Sequence, residues 1–465
     1  MGFSVINNKK IVIIGCGAGG GTAAQFARKT DRKAEITIFD KGNYSQYSKC
    51  GLPYVISNEI SDFKDLIEFS ETWFKKENIK LNLDTTVEKI DINNQIIIAK
   101  KGKIIIKQEY DKLIFATGAI PSIPKIKNIE KNGKKLGCVY VLRTLDDGKN
   151  IVSCVKKDKK ATIVGAGLIG LEIADSLVKK NIKVTVIEAL PSILQNTIDD
   201  DMREPILNEV NNKINIITNH FVKKAEGKNG NIKSITIMDR ETKKEKKIQT
   251  ELLVTATGTK PVVDLAQNIG CRIGVNGGII VNDRCETSIK NIYAAGDCTE
   301  YYDFVTQKPI IIGLGSIAVR QGITAGLNAA GDNHILPKGF LLTRTSKFFG
   351  IEIAAVGPVK NKCEKIPIIY AKLKGLSLPD YFPGGQKILM KVGIHEKTGE
   401  ILTAQAVGPN SAQRINTMAC AILNKMHVDD FKKLETAYAP SVAPTLDVLT
   451  LVCNVASLKL NRKRK

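Results

Sequence analysis

One cysteine, Cys50, lies in a sequence context that could make its sulfur redox-active. Lys49 precedes it, and a neighbouring positive charge favours the thiolate, which is the reactive form of the side chain. A helix that begins at Gly51 or Leu52 would add the positive end of its dipole, and Pro53 suits the first turn of such a helix. The alternative for a lone cysteine is a buried, inert side chain. Cys50 follows a segment whose pattern predicts a dinucleotide-binding fold, and this position favours the reactive role.

A glycine-rich loop near the N-terminus predicts a dinucleotide site. A short apolar strand runs into the pattern G-x-G-x-x-G, whose glycines are Gly15, Gly17 and Gly20. Glycine lets the backbone approach a pyrophosphate, and the N-terminus of the following helix offers it free N–H groups. A second strand ends in Asp40, 20 residues after Gly20, where an acid accepts a hydrogen bond from a ribose hydroxyl.

The same pattern recurs 150 residues further along the chain. Its glycines are Gly165, Gly167 and Gly170, and the next predicted strand ends in Glu188. Two complete fingerprints indicate two dinucleotide sites. Because the Glu188 carboxylate would repel a 2′-phosphate, the second nucleotide is expected to be NADH rather than NADPH.

Small-residue turns follow strands in both nucleotide units. The residues at these turns are Thr117, Gly118, Gly258, Gly296 and Asp297. A single turn of this kind is ordinary sheet structure. Their order, with an A-T-G turn closing each glycine-loop unit and a later G-D turn, favours a role in nucleotide binding.

Composition describes an ordinary globular chain with a basic surface. The chain has 465 residues and a net charge of +22, and 43% of its residues are hydrophobic. The lysines are spread along the sequence, so we interpret them as a solvated surface and expect neither a nucleic-acid nor a membrane partner. The ten cysteines form no CxxC pair and the four histidines have no metal-ligand spacing, so no metal site is expected. With no signal peptide, the chain is expected in the cytoplasm, without a disulfide framework.

The order of these motifs resembles the FAD- and NAD(P)H-dependent disulfide oxidoreductases over nearly the whole chain. The resemblance implies an α/β fold with two Rossmann-like dinucleotide-binding domains and a C-terminal α+β dimerisation domain, and hence a homodimer. FAD is expected on the first unit, with Asp297 bonded to the ribityl chain of the flavin, and NADH on the second. The predicted limits are 1–118 and 265–332 for the FAD domain, 119–264 for the NADH domain and 333–465 for the C-terminal domain. The flanking residues expected at the cofactors are Ala18, Gly19, Lys41, Leu168 and Ile169.

Within that family the chain resembles the single-cysteine branch. Ser45 and Val55 stand five residues on either side of Cys50, so the C-x-x-x-x-C pair of other members is missing. The branch contains coenzyme A-disulfide reductases, persulfide or polysulfide reductases, NADH oxidases and NADH peroxidases. In the coenzyme A-disulfide reductases, tyrosines that match Tyr381 and Tyr438 lie across the dimer interface near the other subunit's cysteine. There they would stabilise or protonate a leaving thiolate, and the alternative for both is interface packing.

Substrate-binding residues are also predicted from the resemblance. They are Thr22, Arg28, Lys29, Gln46 and Lys49. Ala18 stands where NADH peroxidases and many water-forming oxidases place a histidine, which favours sulfur substrates over oxygen. Gln46 and Lys49 depart from the residues usual in the coenzyme A-disulfide reductases, so coenzyme A as the substrate stays open.

The predicted function is electron transfer from NADH through FAD to Cys50, and on to a disulfide, persulfide or polysulfide such as coenzyme A disulfide. The Cys50 thiolate would attack the substrate and form a mixed disulfide or persulfide. One alternative is an NADH oxidase that reduces O2 to H2O2 or water through a Cys50 sulfenic acid. Another is a flavin redox sensor that acts through a protein partner.

Overall fold

The structure is a computed structural model that describes residues 8–131, 134–155 and 159–464. The first elements in chain order are β1 (Lys10–Ile14), α1 (Ala18–Thr30), β2 (Glu35–Phe39), α2 (Leu52–Ile56), α3 (Glu71–Lys76), β3 (Ile79–Asn82), β4 (Thr86–Asp91), β5 (Ile96–Lys101), β6 (Ile104–Glu109), β7 (Lys112–Phe115) and β8 (Ala119–Pro121). The next are β9 (Glu130–Lys131), β10 (Lys134–Lys135), β11 (Val139–Val141), α4 (Leu145–Cys154), β12 (Lys160–Val164), α5 (Leu168–Lys179), β13 (Lys183–Ile187), α6 (Glu204–Asn211), β14 (Asn215–Ile217), β15 (His220–Lys228), β16 (Asn231–Asp239), β17 (Glu245–Gln249), β18 (Leu252–Thr255) and β19 (Thr259–Pro261).

The remaining elements complete the first unit and build the C-terminal region. They are α7 (Asp264–Asn268), β20 (Ile279–Ile280), β21 (Ile292–Ala294), β22 (Thr299–Tyr302), β23 (Pro309–Ile311), α8 (Gly315–Ala330), β24 (Arg344–Phe348), β25 (Ile351–Val356), β26 (Ile368–Leu376), β27 (Lys387–His395), β28 (Ile401–Val407), α9 (Ser411–Leu423), α10 (Val428–Phe431) and α11 (Val448–Arg464). Short 3-10 turns cover Lys49–Gly51, Phe63–Leu66, Asp200–Met202 and Lys360–Lys362.

The first unit is a parallel five-stranded sheet in the order β21-β7-β1-β2-β3. The continuous apolar run of β1 is buried, as expected for a parallel strand covered on both faces. Helices α1 and α8 pack closely because glycines line their contact. A Cβ added at Gly322 would lie 2.4 Å from the Gly19 carbonyl oxygen, and one at Gly326 would lie 2.3 Å from that of Ala23. Glycines on α8 therefore let its backbone approach that of α1.

The second unit repeats the first. Its parallel sheet has the order β11-β18-β12-β13-β14, so β12, β13, β14, β18 and β11 take the places of β1, β2, β3, β7 and β21. Each unit also inserts a three-stranded antiparallel sheet before its closing strand, β4-β5-β6 in the first and β15-β16-β17 in the second. The prediction of two Rossmann-like domains is confirmed.

The third unit is a five-stranded antiparallel sheet in the order β24-β25-β28-β27-β26. Apolar residues of β27 and β28 share a buried core with α9 and α11. The predicted C-terminal α+β region is therefore present.

One covalent link was not anticipated from the sequence. Cys138 and Cys154 form a disulfide, with their Cα atoms 5.9 Å apart. Their spacing along the chain matches no disulfide or metal motif, so only the fold brings them together. In the part of the chain that the structure describes, no helix has the length and apolar character to span a bilayer. The same residues hold no cluster of side chains that could bind a metal ion.

Candidate active site

The first glycine loop forms an open cradle at the N-terminus of α1. Gly15 has a φ of +105°, and an added Cβ would lie 2.2 Å from the Ala116 carbonyl oxygen, so only glycine fits. A Cβ at Gly20 would lie 1.9 Å from the Gly15 carbonyl oxygen. By contrast, nothing lies within 4 Å of a Cβ at Gly17, and Gly17 caps α1 without a side-chain hydrogen bond. The first N–H groups of the helix therefore face open space in which a pyrophosphate fits.

The second loop reproduces this geometry at α5. Gly165 has a φ of +106°, and a Cβ there would lie 2.4 Å from the Ala256 carbonyl oxygen. A Cβ at Gly170 would lie 2.0 Å from the Gly165 carbonyl oxygen, while the space around Gly167 is open. Gly167 also caps its helix without a side-chain bond. Leu168 and Ile169 form the first turn of α5, as Ala18 and Gly19 do in α1.

The two predicted ribose acids occupy equivalent positions. The Asp40 carboxylate accepts hydrogen bonds from the N–H groups of Cys16, at 2.5 Å, and Gly42, at 2.6 Å. The Glu188 carboxylate accepts from those of Ala166, at 2.6 Å, and Leu190, at 2.8 Å. Each acid thus lies beside its own glycine loop, at the carboxyl end of its strand. Lys41, the neighbour of Asp40, is exposed.

Hydrogen bonds from the two A-T-G turns join the two nucleotide units. The Thr117 hydroxyl donates to the Val262 carbonyl oxygen at 2.6 Å, and the Val262 N–H donates to the Gly118 carbonyl oxygen at 2.9 Å. In the other direction, the Thr257 hydroxyl donates to the Ser122 carbonyl oxygen and the Ser122 N–H to that of Gly258. Strands β8 and β19 pair antiparallel between these turns. The turns therefore set how the two cradles face each other.

Cys50 lies in the 3-10 turn immediately before α2, and its side chain is exposed. Protein still surrounds the sulfur on several sides, and this burial raises the pKa of the thiol. The carboxylates of Glu172 and Asp297 also raise the pKa of Cys50, whereas Arg143 and Lys49 lower it. The expected effect of Lys49 is present, but burial and the two carboxylates outweigh it, so the pKa of the thiol is raised. The helix expected to support the thiolate, α2, has only 5 residues.

Arg143 is a site residue that sequence reasoning missed. Its guanidinium donates a 2.8 Å hydrogen bond to the carboxylate of Asp297, which follows β21. A Cβ at Gly118 would lie 3.8 Å from the same guanidinium, so Arg143 also borders the first A-T-G turn. The neighbouring Gly296 N–H donates to the side-chain oxygen of Gln321 at 2.9 Å. The predicted residues Gly118, Gly296 and Asp297 are thus brought together, with Arg143 added.

Glu172 and Gly315 are two further residues that sequence reasoning missed. Glu172 lies on α5, where burial raises its pKa and the Ser346 hydroxyl donates to it at 2.5 Å. Gly315 begins α8, and a Cβ there would lie 3.9 Å from the Cys50 sulfur. The N-terminus of a 16-residue helix therefore lies beside Cys50, whereas the sequence pointed to the short α2. The second turn of the glycine-loop helix would have pointed to Glu172, but nothing local marks Gly315.

Tyr381 and Tyr438 lie together in the C-terminal unit. Their hydroxyl oxygens are 2.9 Å apart, and the side chains are 67% and 47% exposed. Their hydrogen bond raises the pKa of Tyr381 and lowers that of Tyr438. Either hydroxyl can be the donor in this hydrogen bond. The pair is therefore an exposed feature of one chain, available to a partner.

The predicted substrate residues divide into two groups. Lys29 and Lys49 are exposed. Thr22, Arg28 and Gln46 are buried, with 5%, 6% and 6% of their surface exposed. The structure contradicts the prediction that Arg28 binds the substrate. Its guanidinium donates to the backbone carbonyl oxygens of Glu77, Asp31, Arg32 and Asn78, which leaves it no free edge to bind a phosphate. Thr22 packs against Gly322 of α8, and the Gln46 side chain lies over Gly21. Of the three residues expected to form a cradle, Thr22, Arg28 and Lys29, only Lys29 is exposed.

Two dinucleotide cradles around an exposed cysteine define a redox enzyme that uses two nucleotides. Residues 9–322 match the family described as pyridine nucleotide-disulphide oxidoreductase, and residues 343–448 match the dimerisation domain of that family. The chain belongs to the pyridine nucleotide-disulphide oxidoreductases. This family implies FAD and NAD(P)H, and the two cradles described above fit these nucleotides.

Individual relatives indicate which members of the family this chain resembles. A protein of Methanocaldococcus jannaschii named NADH oxidase is 35% identical over 98% of this chain and 100% of its own length. The NAD(P)H sulfur oxidoreductase (CoA-dependent) of Pyrococcus abyssi is 31% identical over 96% of this chain and 98% of its own. Among solved structures, a NAD-dependent persulfide reductase from A. fulgidus has a TM-score of 0.91 and 30% identity, and the match covers 97% of this chain and 84% of that one.

Proposed function

We propose that this chain uses NADH to reduce a disulfide, persulfide or polysulfide at Cys50. The observation that carries the proposal is the exposed Cys50 sulfur, which lies beside the N-terminus of α8 and within the electrostatic reach of Asp297 and Arg143. FAD, when bound, would accept a hydride from NADH and supply two electrons to sulfur. The residues proposed to hold it are Gly15, Gly17, Ala18, Gly19, Gly20, Asp40, Lys41, Thr117, Gly118, Gly296 and Asp297.

Cys50 is the proposed nucleophile. Its thiolate attacks one sulfur of the substrate, so that a mixed disulfide or persulfide forms on Cys50 and a thiolate or shortened polysulfide leaves. Because burial and two carboxylates raise the pKa of Cys50, the helix N-terminus at Gly315 and the cations of Lys49 and Arg143 have to stabilise the thiolate.

A homodimer would complete the site. The dimerisation domain supports assembly of two copies, and Tyr381 and Tyr438 are exposed on that domain. In the proposed dimer they lie near the partner's reactive cysteine. When Tyr381 donates to Tyr438, the Tyr438 proton is free to pass to a departing thiolate.

NADH is the proposed electron donor in preference to NADPH. The residues proposed to hold it are Gly165, Gly167, Leu168, Ile169, Gly170, Glu188 and Gly258. Glu188 is already bonded to two backbone N–H groups, which fixes its negative charge at the edge of the second cradle. A 2′-phosphate at this edge would meet that charge.

Two acceptors compete as the natural substrate. The relative named as a CoA-dependent sulfur oxidoreductase and Ala18 in the glycine loop support a sulfur compound, with coenzyme A disulfide the first candidate. The relative named NADH oxidase supports oxygen as the second. Neither the site nor these relatives favour a redox sensor. Lys29 and Lys49, both exposed, remain proposed contacts for an anionic substrate.

The test is a comparison of NADH oxidation by the FAD-loaded protein with coenzyme A disulfide, polysulfide, peroxide and air. The proposal predicts the highest kcat/KM with a sulfur acceptor. Oxygen uptake that equals NADH consumption, with no acceleration by either sulfur compound, would replace it with the oxidase.

A further inference from the structure

The Cys138–Cys154 disulfide closes a loop that reaches the Cys50 segment. Cys138 immediately precedes β11 and Cys154 is the last residue of α4, so the two cysteines join the ends of the β11–α4 segment. Neither cysteine belongs to the residues proposed to bind nucleotide or substrate. The link therefore acts on a segment of the chain rather than on the sulfur chemistry at Cys50.

Contacts with the Cys50 segment lie between the two cysteines. Leu145 packs with Leu52 and Val55 of α2 in one buried cluster, directly after Cys50 in the chain. A Cβ at Gly148 would lie 2.4 Å from the ring of Phe63, so α4 approaches that region closely.

Polar contacts continue the same interface. The Tyr44 hydroxyl donates to the Asp146 carboxylate at 2.8 Å and accepts from the Lys149 ammonium at 2.9 Å. Arg143 reaches Asp297 from this segment. The segment between the two cysteines therefore supports the Cys50 region through both apolar and charged contacts.

The pair also has the features of a thiol site that can exchange. Cys138 is half-buried, whereas Cys154 is buried, so an oxidant in solution reaches Cys138 first. Cys138 has a φ of +58°, a backbone conformation that few residues other than glycine adopt. The Tyr140 hydroxyl lies 3.6 Å from the Cys154 sulfur and can donate to its thiolate when the bond is open.

We propose that Cys138 and Cys154 form a second thiol–disulfide site, whose oxidation fixes the β11–α4 segment and so positions Arg143 and the support of Cys50. The oxidant is a low-molecular-weight disulfide. The Cys138 thiolate attacks it and releases one thiol, and the Cys154 thiolate then attacks the Cys138 sulfur and releases the second thiol. The dithiol loses two electrons, and one disulfide becomes two thiols. Excess small thiol reverses the exchange.

The first test is thiol mapping of the full-length, FAD-loaded protein by alkylation in denaturant and mass spectrometry. After oxidised glutathione, Cys138 and Cys154 should be protected as one cross-linked pair, while the exposed Cys420 reports alkylation or a glutathione adduct. After dithiothreitol, both should be alkylated. Alkylation of both after oxidised glutathione would overturn the proposal. The Cys50→Ser variant should give the same pairing, so failure of the proposed catalytic function and failure of this site are distinguishable.

The second test is hydrogen exchange of segments 52–66 and 143–149 in the two redox states. The oxidised protein should exchange these amides more slowly, by about tenfold or more, because the cross-link restricts local opening. Cys138→Ser should abolish the difference between oxidised and reduced samples, and the control Cys420→Ser should retain it. Equal exchange in both redox states of the wild-type protein, a comparison that needs no variant, would refute the positioning role.

Discussion

The hydroxyl oxygens of Tyr381 and Tyr438 lie 2.9 Å apart although the residues are 57 positions apart in the sequence. The pKa of Tyr438 is lowered and that of Tyr381 is raised, so Tyr438 is the better acid of the two. Both side chains are exposed, so replacing them is expected to affect the chemistry more than the folding of the chain.

Replacing the tyrosines tests this asymmetry. Tyr438→Phe should lower kcat with a disulfide acceptor by about tenfold or more, since it removes the proposed acid. Tyr381→Phe should have a smaller effect, and flavin reduction by NADH should be unchanged in both. The control is Tyr302→Phe, another exposed tyrosine, which lies on β22. Equal rates for all three variants in turnover with disulfide would leave only interface packing for the pair.

The pKa of Cys50 should respond to its charged neighbours in opposite directions. Glu172 raises it, so Glu172→Gln should shift the pH midpoint of Cys50 alkylation downward; Lys49 lowers it, so Lys49→Met should shift the midpoint upward. In the wild type, alkylation should speed up with rising pH and reach its plateau above the range of a free cysteine, because the reactive thiolate forms only above the raised pKa. The measurement is the iodoacetamide rate against pH on nucleotide-free protein. The control, Glu209→Gln on the exposed face of α6, should not move the midpoint, and shifts of the same sign for the first two variants would contradict the assignment.

Glu188 should govern the choice between NADH and NADPH. Like charges about 4 Å apart repel by at least about 1 kcal/mol, so Glu188→Gln should raise the NADPH to NADH ratio of kcat/KM by about fivefold or more. Asp40 has the same bonding pattern in the first cradle, which makes Asp40→Asn the matched control. That variant should weaken FAD retention and leave the ratio unchanged. A ratio insensitive to Glu188 would remove the basis for the NADH preference.

The Arg143–Asp297 pair should couple the second unit to the first. With side chains 21% and 14% exposed, breaking the pair leaves a partly buried charge, at a cost of about 1 to 2 kcal/mol after allowance for solvent. A double-mutant cycle with Arg143→Met and Asp297→Asn, followed by thermal unfolding, measures the coupling. The exposed Lys10–Glu109 pair is the control and should couple less. Additive effects of the Arg143 and Asp297 substitutions on stability would contradict this coupling.

Local patterns in the sequence were sufficient to predict the cradles, because a glycine loop, its helix and the acid after the next strand are close in the chain. Arg143 and Asp297 are 154 residues apart in the sequence, and their contact depends on how two domains pack. No motif spacing in the sequence therefore predicts this contact. Arg28 was misassigned for a related reason. The family resemblance suggested a substrate contact, but the fold brings the carbonyl oxygen of Glu77 to its guanidinium. The Cys138–Cys154 pair likewise forms only when β11 and α4 are in place.

The most direct test of the account is rapid mixing of the FAD-loaded Cys50→Ser variant with NADH, and then with coenzyme A disulfide or polysulfide. The account predicts that the flavin is reduced at the wild-type rate and that no reoxidation by either sulfur compound follows. Cys420→Ser, which removes another exposed thiol, should behave as the wild type in both phases. Turnover of either sulfur compound by Cys50→Ser at the wild-type rate would contradict the central claim that electrons reach the substrate through Cys50.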